Sequence, residues 1–194
     1  MDKKYIETVE NDLKLYNHVF RGIVRFNEVD MVGKIHNVQY FYYFEWAKNE
    51  YFKNLGIPIS SETYFKEFPI MTVHSEIDYF NSAGFGDEFE IFTRISAIRH
   101  SSMKFENIIR KTGGTILAKG SAIVVHYNPT TLKSERVPER LRKLIRNFEG
   151  EVVEIEEWTC YHSNPLFEYG FRVSIIEISS SKADSIVLTP FMPP

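Results

Sequence analysis

The chain predicts an α+β fold on three observations. Residues 37 to 54 have helical length and are apolar nearly all round in their first half. Around them lie segments whose apolar residues alternate with polar ones, the mark of half-buried strands. Those strands come as a run, separated by turn signals, and not one by one between helices. A helix with so few polar positions must be wrapped, by the sheet or by a partner.

The elements follow in order. Residues 18 to 26, HVFRGIVRF, alternate as a strand, with Val19, Arg21, Ile23 and Arg25 on one face and Phe20, Val24 and Phe26 on the other. Gly22 inside it allows a close approach. Residues 27 to 36 read as a loop. The helix begins at Asn37, an acceptable N-cap, and Gly56 and Pro58 stop it. Residues 70 to 80, 88 to 98, 102 to 111 and 116 to 127 read as four further strands. TGGT at 112 to 115 is a hairpin turn signal, and NPTT at 128 to 131 ends the last strand. Residues 138 to 147 make a short basic helix with Pro138 in its first turn. The domain runs from 18 to 147, after a lead-in of residues 1 to 17. Residues 148 to 194 form a C-terminal extension. Its two strand-like runs could pair as an extra β-hairpin, cover a sheet edge or reach a neighbouring subunit.

Composition narrows the function classes. The 194 residues are 43% hydrophobic and 25% charged, with a net charge of −3, which suits a soluble globular chain, and nothing in the total argues for nucleic acid or an acidic membrane surface. Aromatic residues reach 15% and cluster near residues 40 and 64 to 92, enough for a flat or long apolar ligand. Cys160 is the only cysteine, so an internal disulfide and a multi-thiolate metal site are excluded. The histidines show no metal spacing, and no metal is expected. No apolar run is long enough to span a membrane, and the charged N-terminus is not a secretory signal. The cytoplasm is the default expectation.

One stretch joins an acid to the aromatic helix. In FNEVDMVGKIHNVQYFYYFEW, residues 26 to 46, Asp30 precedes Gly33 and then the helix. A solvated turn needs the Asp but not the aromatics, and a core helix needs the aromatics but not the Asp. Together they suggest a carboxylate at the rim of an apolar pocket.

These residues resemble the hotdog-fold acyl-CoA thioesterases of the 4-hydroxybenzoyl-CoA thioesterase type, including the short bacterial thioesterases associated with the Tol–Pal cell-envelope system. The family pattern falls on Phe26, Asp30, Gly33, Ile35, His36, Asn37, Tyr40 and Glu45. Matching stretches follow at 50 to 58, 77 to 95, 98 to 111 and 120 to 128, so the resemblance covers about residues 18 to 147. It implies a hotdog fold, an antiparallel sheet wrapped around one long helix. It implies hydrolysis of an acyl- or aroyl-CoA to the free acid and CoA, with no cofactor beyond the coenzyme A of the substrate.

The resemblance also implies roles. Asp30 would be the nucleophile or general base. The start of the 37–54 helix would polarise the thioester carbonyl through an amide close to Asn37, with His36 beside it. Gly33 lets the loop turn, and Tyr40, Phe41 and Phe44 would wall the acyl pocket. The CoA nucleotide would meet Arg99, His100, Ser101, Ser102 and Lys104, with Arg140, Arg142 and Lys143 as further cations. Glu45 reads as a supporting acid or ion-pair partner, and His74, His126 and Tyr127 as structural. The family dimerises, so a homodimer or homotetramer is expected, with Asp30 facing the partner. Two alternatives stand beside this: a thioesterase for acyl carrier protein, and a non-catalytic acyl-CoA-binding module.

Overall fold

The computed structural model describes residues 3–60 and 68–150; the predicted hairpin of the extension and Cys160 lie outside the described residues. Five antiparallel strands, β1 (His18–Ile23), β2 (Ile70–Tyr79), β3 (Glu88–Ile98), β4 (Ser102–Lys111) and β5 (Ile116–His126), form one sheet in the order β1-β3-β4-β5-β2. Among the described residues three α-helices accompany them: α1 (Lys3–Asp12), α2 (Gln39–Asn54) and α3 (Glu139–Glu149). The predicted α+β architecture stands, and four of the five strands lie within one residue of their expected limits.

Helix α2 lies on the inner face of the sheet. Tyr43, Ala47 and Tyr51, about a turn apart, are buried against Phe89, Ile91, Ile95 and Phe105. Each large apolar side chain taken from water contributes about 1.5–3 kcal/mol, which is why this face of the helix holds against the sheet. The helix ends in a Schellman arrangement. Gly56, at φ +77°, donates to Lys53 O at 2.9 Å, and Ile57 N–H reaches Phe52 O at 3.0 Å.

The sequence reading passed over α1. Its Val9, with Tyr16 just beyond, packs on the outer face of the sheet against Phe92, Ile108 and Ile116. These are the strand positions that point away from α2.

Strand β1 is shorter than expected. After Ile23 the backbone leaves the ladder, and Phe26–Glu28 form a single 3-10 turn. Phe26 therefore does not join the core face. It is 78% exposed, and its ring meets Phe85 edge-on at 6.0 Å. Gly22 has the expected close neighbour, because a Cβ there would come within 2.6 Å of the Phe89 ring. At its other end β1 stops at His18, opposite Thr93. Beyond that point Ile95 N–H donates to Glu149 of α3 at 3.0 Å, and the Tyr51 hydroxyl donates to the same carboxylate at 2.6 Å.

Candidate active site: the β1–α2 connection

The connection between β1 and α2 is held from inside by an acid that the sequence reading did not single out. Glu28 is 6% exposed. Its carboxylate accepts the Tyr43 hydroxyl at 2.6 Å and the Arg25 N–H at 2.7 Å, and its carbonyl accepts His36 N–H at 2.9 Å. One residue thus ties the entry of the loop, its exit and the second turn of α2 together. Burial, and then Glu28, drive the Tyr43 phenol far above its usual range. The one signal available in sequence was the spacing Arg25-x-x-Glu28, which suits a carboxylate reaching back to an N-cap amide. Tyr43 lies too far along the chain for spacing to reveal.

Asp30 sits at the tip of this loop, fully exposed. Its Oδ1 accepts Val32 N–H at 2.8 Å and Lys34 N–H at 3.1 Å. Its own N–H donates to Lys34 O at 2.8 Å, and Gly33, at φ +75°, closes the turn onto Asp30 O at 2.9 Å. The Lys34 amide foremost, with Val32 and the nearby His36 imidazole, holds the carboxyl below its ordinary range. Asp30 is therefore a carboxylate at neutral pH. Oδ2 accepts no bond among the described residues. Gly84 abuts the loop so closely that a Cβ on it would lie 2.9 Å from Gly33 O.

The helix start differs from expectation. Regular helix begins at Gln39, and Asn37 makes no side-chain cap. Instead the His36 imidazole Nδ1 accepts Val38 N–H at 3.3 Å, and His36 O accepts Gln39 N–H at 2.8 Å. The cause is a tightened first turn, in which the nearest acceptor is one residue earlier than a standard cap supplies. The Asn37 N–H donates to no acceptor among the described residues. Its carbonyl is braced by the Tyr79 hydroxyl at 3.1 Å.

The aromatic positions divide. Tyr40 is 3% exposed and stacks edge-on with Tyr43 and Tyr79; it is core, not pocket wall. Phe41 and Phe44 do line a cavity between α2, β2, β4 and β5. Glu45 pairs with Lys48 at 2.6 Å on the same helix. Around the Asp30 tip, Phe26, Met31, Val32 and Phe85 are strongly exposed and form an apolar rim.

The expected nucleotide residues lie elsewhere. Arg99, His100 and Ser101 form the β3–β4 turn and Ser102 opens β4. The turn is fixed from below: His126 N–H donates to Ser101 O at 2.8 Å and Val137 N–H to His100 O at 2.8 Å. Arg142 is not a surface cation. It is 3% exposed, and its guanidinium donates to the carbonyls of Val137, Arg99 and His100. A helix pattern shows which residues share a face, but not that three backbone carbonyls will need a donor beneath it. Lys104 pairs with Glu106 at 3.4 Å on the outer face, the guanidinium of Arg140 lies 5.8 Å from the Phe68 ring, and Lys143 is exposed.

Within one chain the two groups are far apart. The Asp30 loop bridges to Gly84 before β3, and the Arg99 turn follows β3. The 11 residues of β3 span about 33 Å at roughly 3.3 Å per residue. No single copy unites them.

A family description, the Thioesterase-like superfamily, matches residues 24–145. The chain is 29% identical over 111 residues to the uncharacterized protein YsmA of Bacillus subtilis (strain 168), covering 57% of this chain and 73% of that one. In structure it resembles a thioesterase from Thermus thermophilus solved with coenzyme A and Zn. The TM-score is 0.62 at 25% identity, over 71% of this chain and 98% of that one. It also superposes on Slr0204, a 1,4-dihydroxy-2-naphthoyl-CoA thioesterase from Synechocystis, with TM-score 0.62 at 17% identity, over 68% of this chain and 96% of that one. That second likeness shows a shared fold. Among the described residues no three His, Cys, Asp or Glu side chains gather as a metal site.

Proposed function

Because the chain belongs to the Thioesterase-like superfamily, a class of thioester hydrolases, we propose that it cleaves an acyl-CoA or aroyl-CoA to the free acid and CoA at the β1–α2 connection. The observation that carries this reading is the pairing of one free carboxylate oxygen with one free amide on a single tethered loop. Asp30 Oδ2 faces solvent while Oδ1 is locked, so the carboxylate is oriented but available. The Asn37 N–H, beside the positive end of α2, is a ready donor for a thioester carbonyl oxygen.

Chemistry follows from these two groups. Asp30 either attacks the carbonyl carbon, giving a mixed anhydride that water then hydrolyses to the free acid, or takes a proton from the attacking water. Charge that develops on the carbonyl oxygen is met by the Asn37 amide, and the thiolate of CoA leaves. His36, engaged through Nδ1 in holding Val38, orients the helix start and is a positioning residue in this scheme. Phe41 and Phe44 receive the acyl group. The thioesterase from Thermus thermophilus solved with coenzyme A supports CoA as the carrier.

The site needs a second copy. The Arg99 turn lies near the start of β2, since Ile70 pairs with His126, whose N–H meets Ser101. The Asn37 end lies near the end of β2, at Tyr79. Strand β2 is an edge of the sheet. Two copies paired antiparallel along β2 would set Tyr79 of each beside Ile70 of the other. Each Asp30 would then share its end of the assembly with the other copy's Arg99, His100, Ser101 and Ser102. The exposed apolar rim gives that contact something to bury. Such a homodimer, on its own or doubled to a tetramer, is the unit we expect to be active.

The test is thiol release from a panel of short, long and aromatic acyl-CoAs, with wild type beside Asp30→Asn. The amide oxygen of Asn can still accept Val32 and Lys34, so the variant should fold. Its turnover should fall by about 10²–10⁴-fold while ligand binding persists. Equal turnover in the two proteins would remove Asp30 from the mechanism. No turnover in either would turn the reading toward an acyl-carrier-protein substrate or a binding module.

A further inference from the structure

The sheet has two edges, β2 and β1. Strand β1 has six residues and pairs with β3 alone. Among the described residues no backbone hydrogen bond joins His18–Ile23 to any other element. Such an edge is a template for a further strand, and native proteins cover it. The two faces beside it differ. On the inner face the Phe20 ring lies 5.0 Å from that of Trp46, which is 40% exposed. On the outer face the Arg21 side chain is 77% exposed, although it reaches Glu90 at 3.2 Å. At the start of the strand His18 is buried, and its Nε2 has no hydrogen-bond partner among the described residues. A buried polar atom left so is unfavourable.

Helix α3 delivers the chain to this edge. It begins below the β3–β4 turn, where Arg142 donates to His100 O at 3.0 Å. It ends at Glu149, which accepts Ile95 N–H at 3.0 Å. The helix therefore runs against β3 and in the direction of β1, because β1 is antiparallel to β3. Its last turn meets the start of β1, where Asn17 Nδ2 donates to Phe148 O at 3.0 Å. Gly150, at φ +77°, closes the helix onto Arg146 O at 2.9 Å, a conformation that ends helices. The next residues in the chain are EVVEIE, 151–156. Laid beside HVFRGI in the same direction, they set Glu151 at His18, Val153 at Phe20 and Glu154 at Arg21. Neighbours in paired strands share a face. An acid thus falls at the unpartnered imidazole, an apolar residue on an apolar one, and an acid at the exposed cation.

We propose that residues 151–156 of the same chain pair in parallel with β1 as an added edge strand, with Val153 and Ile155 covering Phe20 and Trp46 and Glu154 meeting Arg21. The consequence is an asymmetry between the edges. With β1 closed, β2 is left to meet a second copy, and sheet pairing stops at two chains instead of growing into a filament. This docking is independent of the chemistry at Asp30.

Disulfide trapping on the full chain tests it. In a Cys160→Ser background, Arg21→Cys is combined with Glu154→Cys, and Val73→Cys on the β2 edge with Glu154→Cys serves as the control. Neighbouring positions on paired strands are close enough to bridge. Mild oxidation should link the first pair within one chain, seen as a faster non-reduced band of single-chain mass, and leave the control unlinked. No link in the first pair, an equal link in the control, or a link only between chains would overturn the docking; the last would seat the segment on a second copy. Hydrogen exchange read by mass spectrometry gives a second measure. Val153→Pro with Ile155→Pro removes two strand donors without touching the described domain. Amides of β1 should then exchange about tenfold faster than in wild type, while those of the central strand β4 keep their rates. Unchanged exchange in β1, or an equal change in β1 and β4, would overturn it.

Discussion

Removing the Tyr43 hydroxyl isolates the tether that holds the Asp30 loop. In Tyr43→Phe nothing changes but one oxygen, the one that donates to Glu28 at 2.6 Å. Both residues are buried, Tyr43 at 1% and Glu28 at 6% exposure. A hydrogen bond to an ionised group contributes about 1.5–3 kcal/mol. After the substitution Glu28 keeps the Arg25 N–H at 2.7 Å and a long contact from Gln39 at 3.5 Å, so it is weakened but not orphaned. We therefore expect a loss of about 2 kcal/mol, in the middle of that range. At roughly 2–4 °C per kcal/mol for a chain of this size, Tm should fall by about 4–8 °C. Urea unfolding followed by circular dichroism should show a lower midpoint at an unchanged slope. Tyr40→Phe is the control. Tyr40 stacks on the same ring but its hydroxyl has no bonded partner among the described residues, so its variant should stay within about 0.5 kcal/mol of wild type. In Tyr43→Phe kcat should fall more than KM rises, because the loop carries the carboxylate proposed to react. Equal stability of the two variants would refute the tether.

Three further outcomes follow. Gly84→Ala should push on the Gly33 carbonyl, which would lie 2.9 Å from the new Cβ. We expect about 1–2 kcal/mol of destabilisation, with a loss of kcat/KM in the folded fraction, read by thiol release. The pH–rate profile should keep its acid limb below the ordinary Asp range, near 3.8. The folded pKa is depressed, so the stability conferred by the loop amides is present above the unfolded pKa and is lost as pH falls through the folded one. An acid limb that instead rises toward about pH 6 would assign it to a different group. Finally, a doubly tagged heterodimer of Asp30→Asn with an Arg99→Ala, Ser101→Ala copy contains one intact composite site. It should recover about half of wild-type turnover, where either homodimer fails; no recovery would place both groups in one chain.

Much of this fold follows from local pattern. Alternation at 70 to 80, 88 to 98, 102 to 111 and 116 to 127 located four strands closely, because side-chain direction in a strand depends only on the parity of the residue. The stop at Gly56 and the turn at Gly33 were readable because a left-handed backbone favours glycine. The Asp30-to-helix spacing located the candidate site, since loop and helix start are neighbours in the chain.

What the sequence could not decide were the relations between distant residues. Asn37 has the chemistry of a cap, but the His36 ring reached the free amide first. Phe26 continued the alternation, yet the chain had already turned into the Glu28 tether. Arg142 reads as one more surface charge until the β3–β4 turn places three carbonyls around it. The sequence by itself determined the order of the five strands, the two later helices and the loop that bears the carboxylate. The tertiary structure alone decided which polar groups were buried, which partners they found, and that Asp30 and the Arg99 turn lie at opposite ends of the sheet. Periodicity and turn chemistry act over a few residues. Burial and partnership depend on which faces meet once the strands have paired.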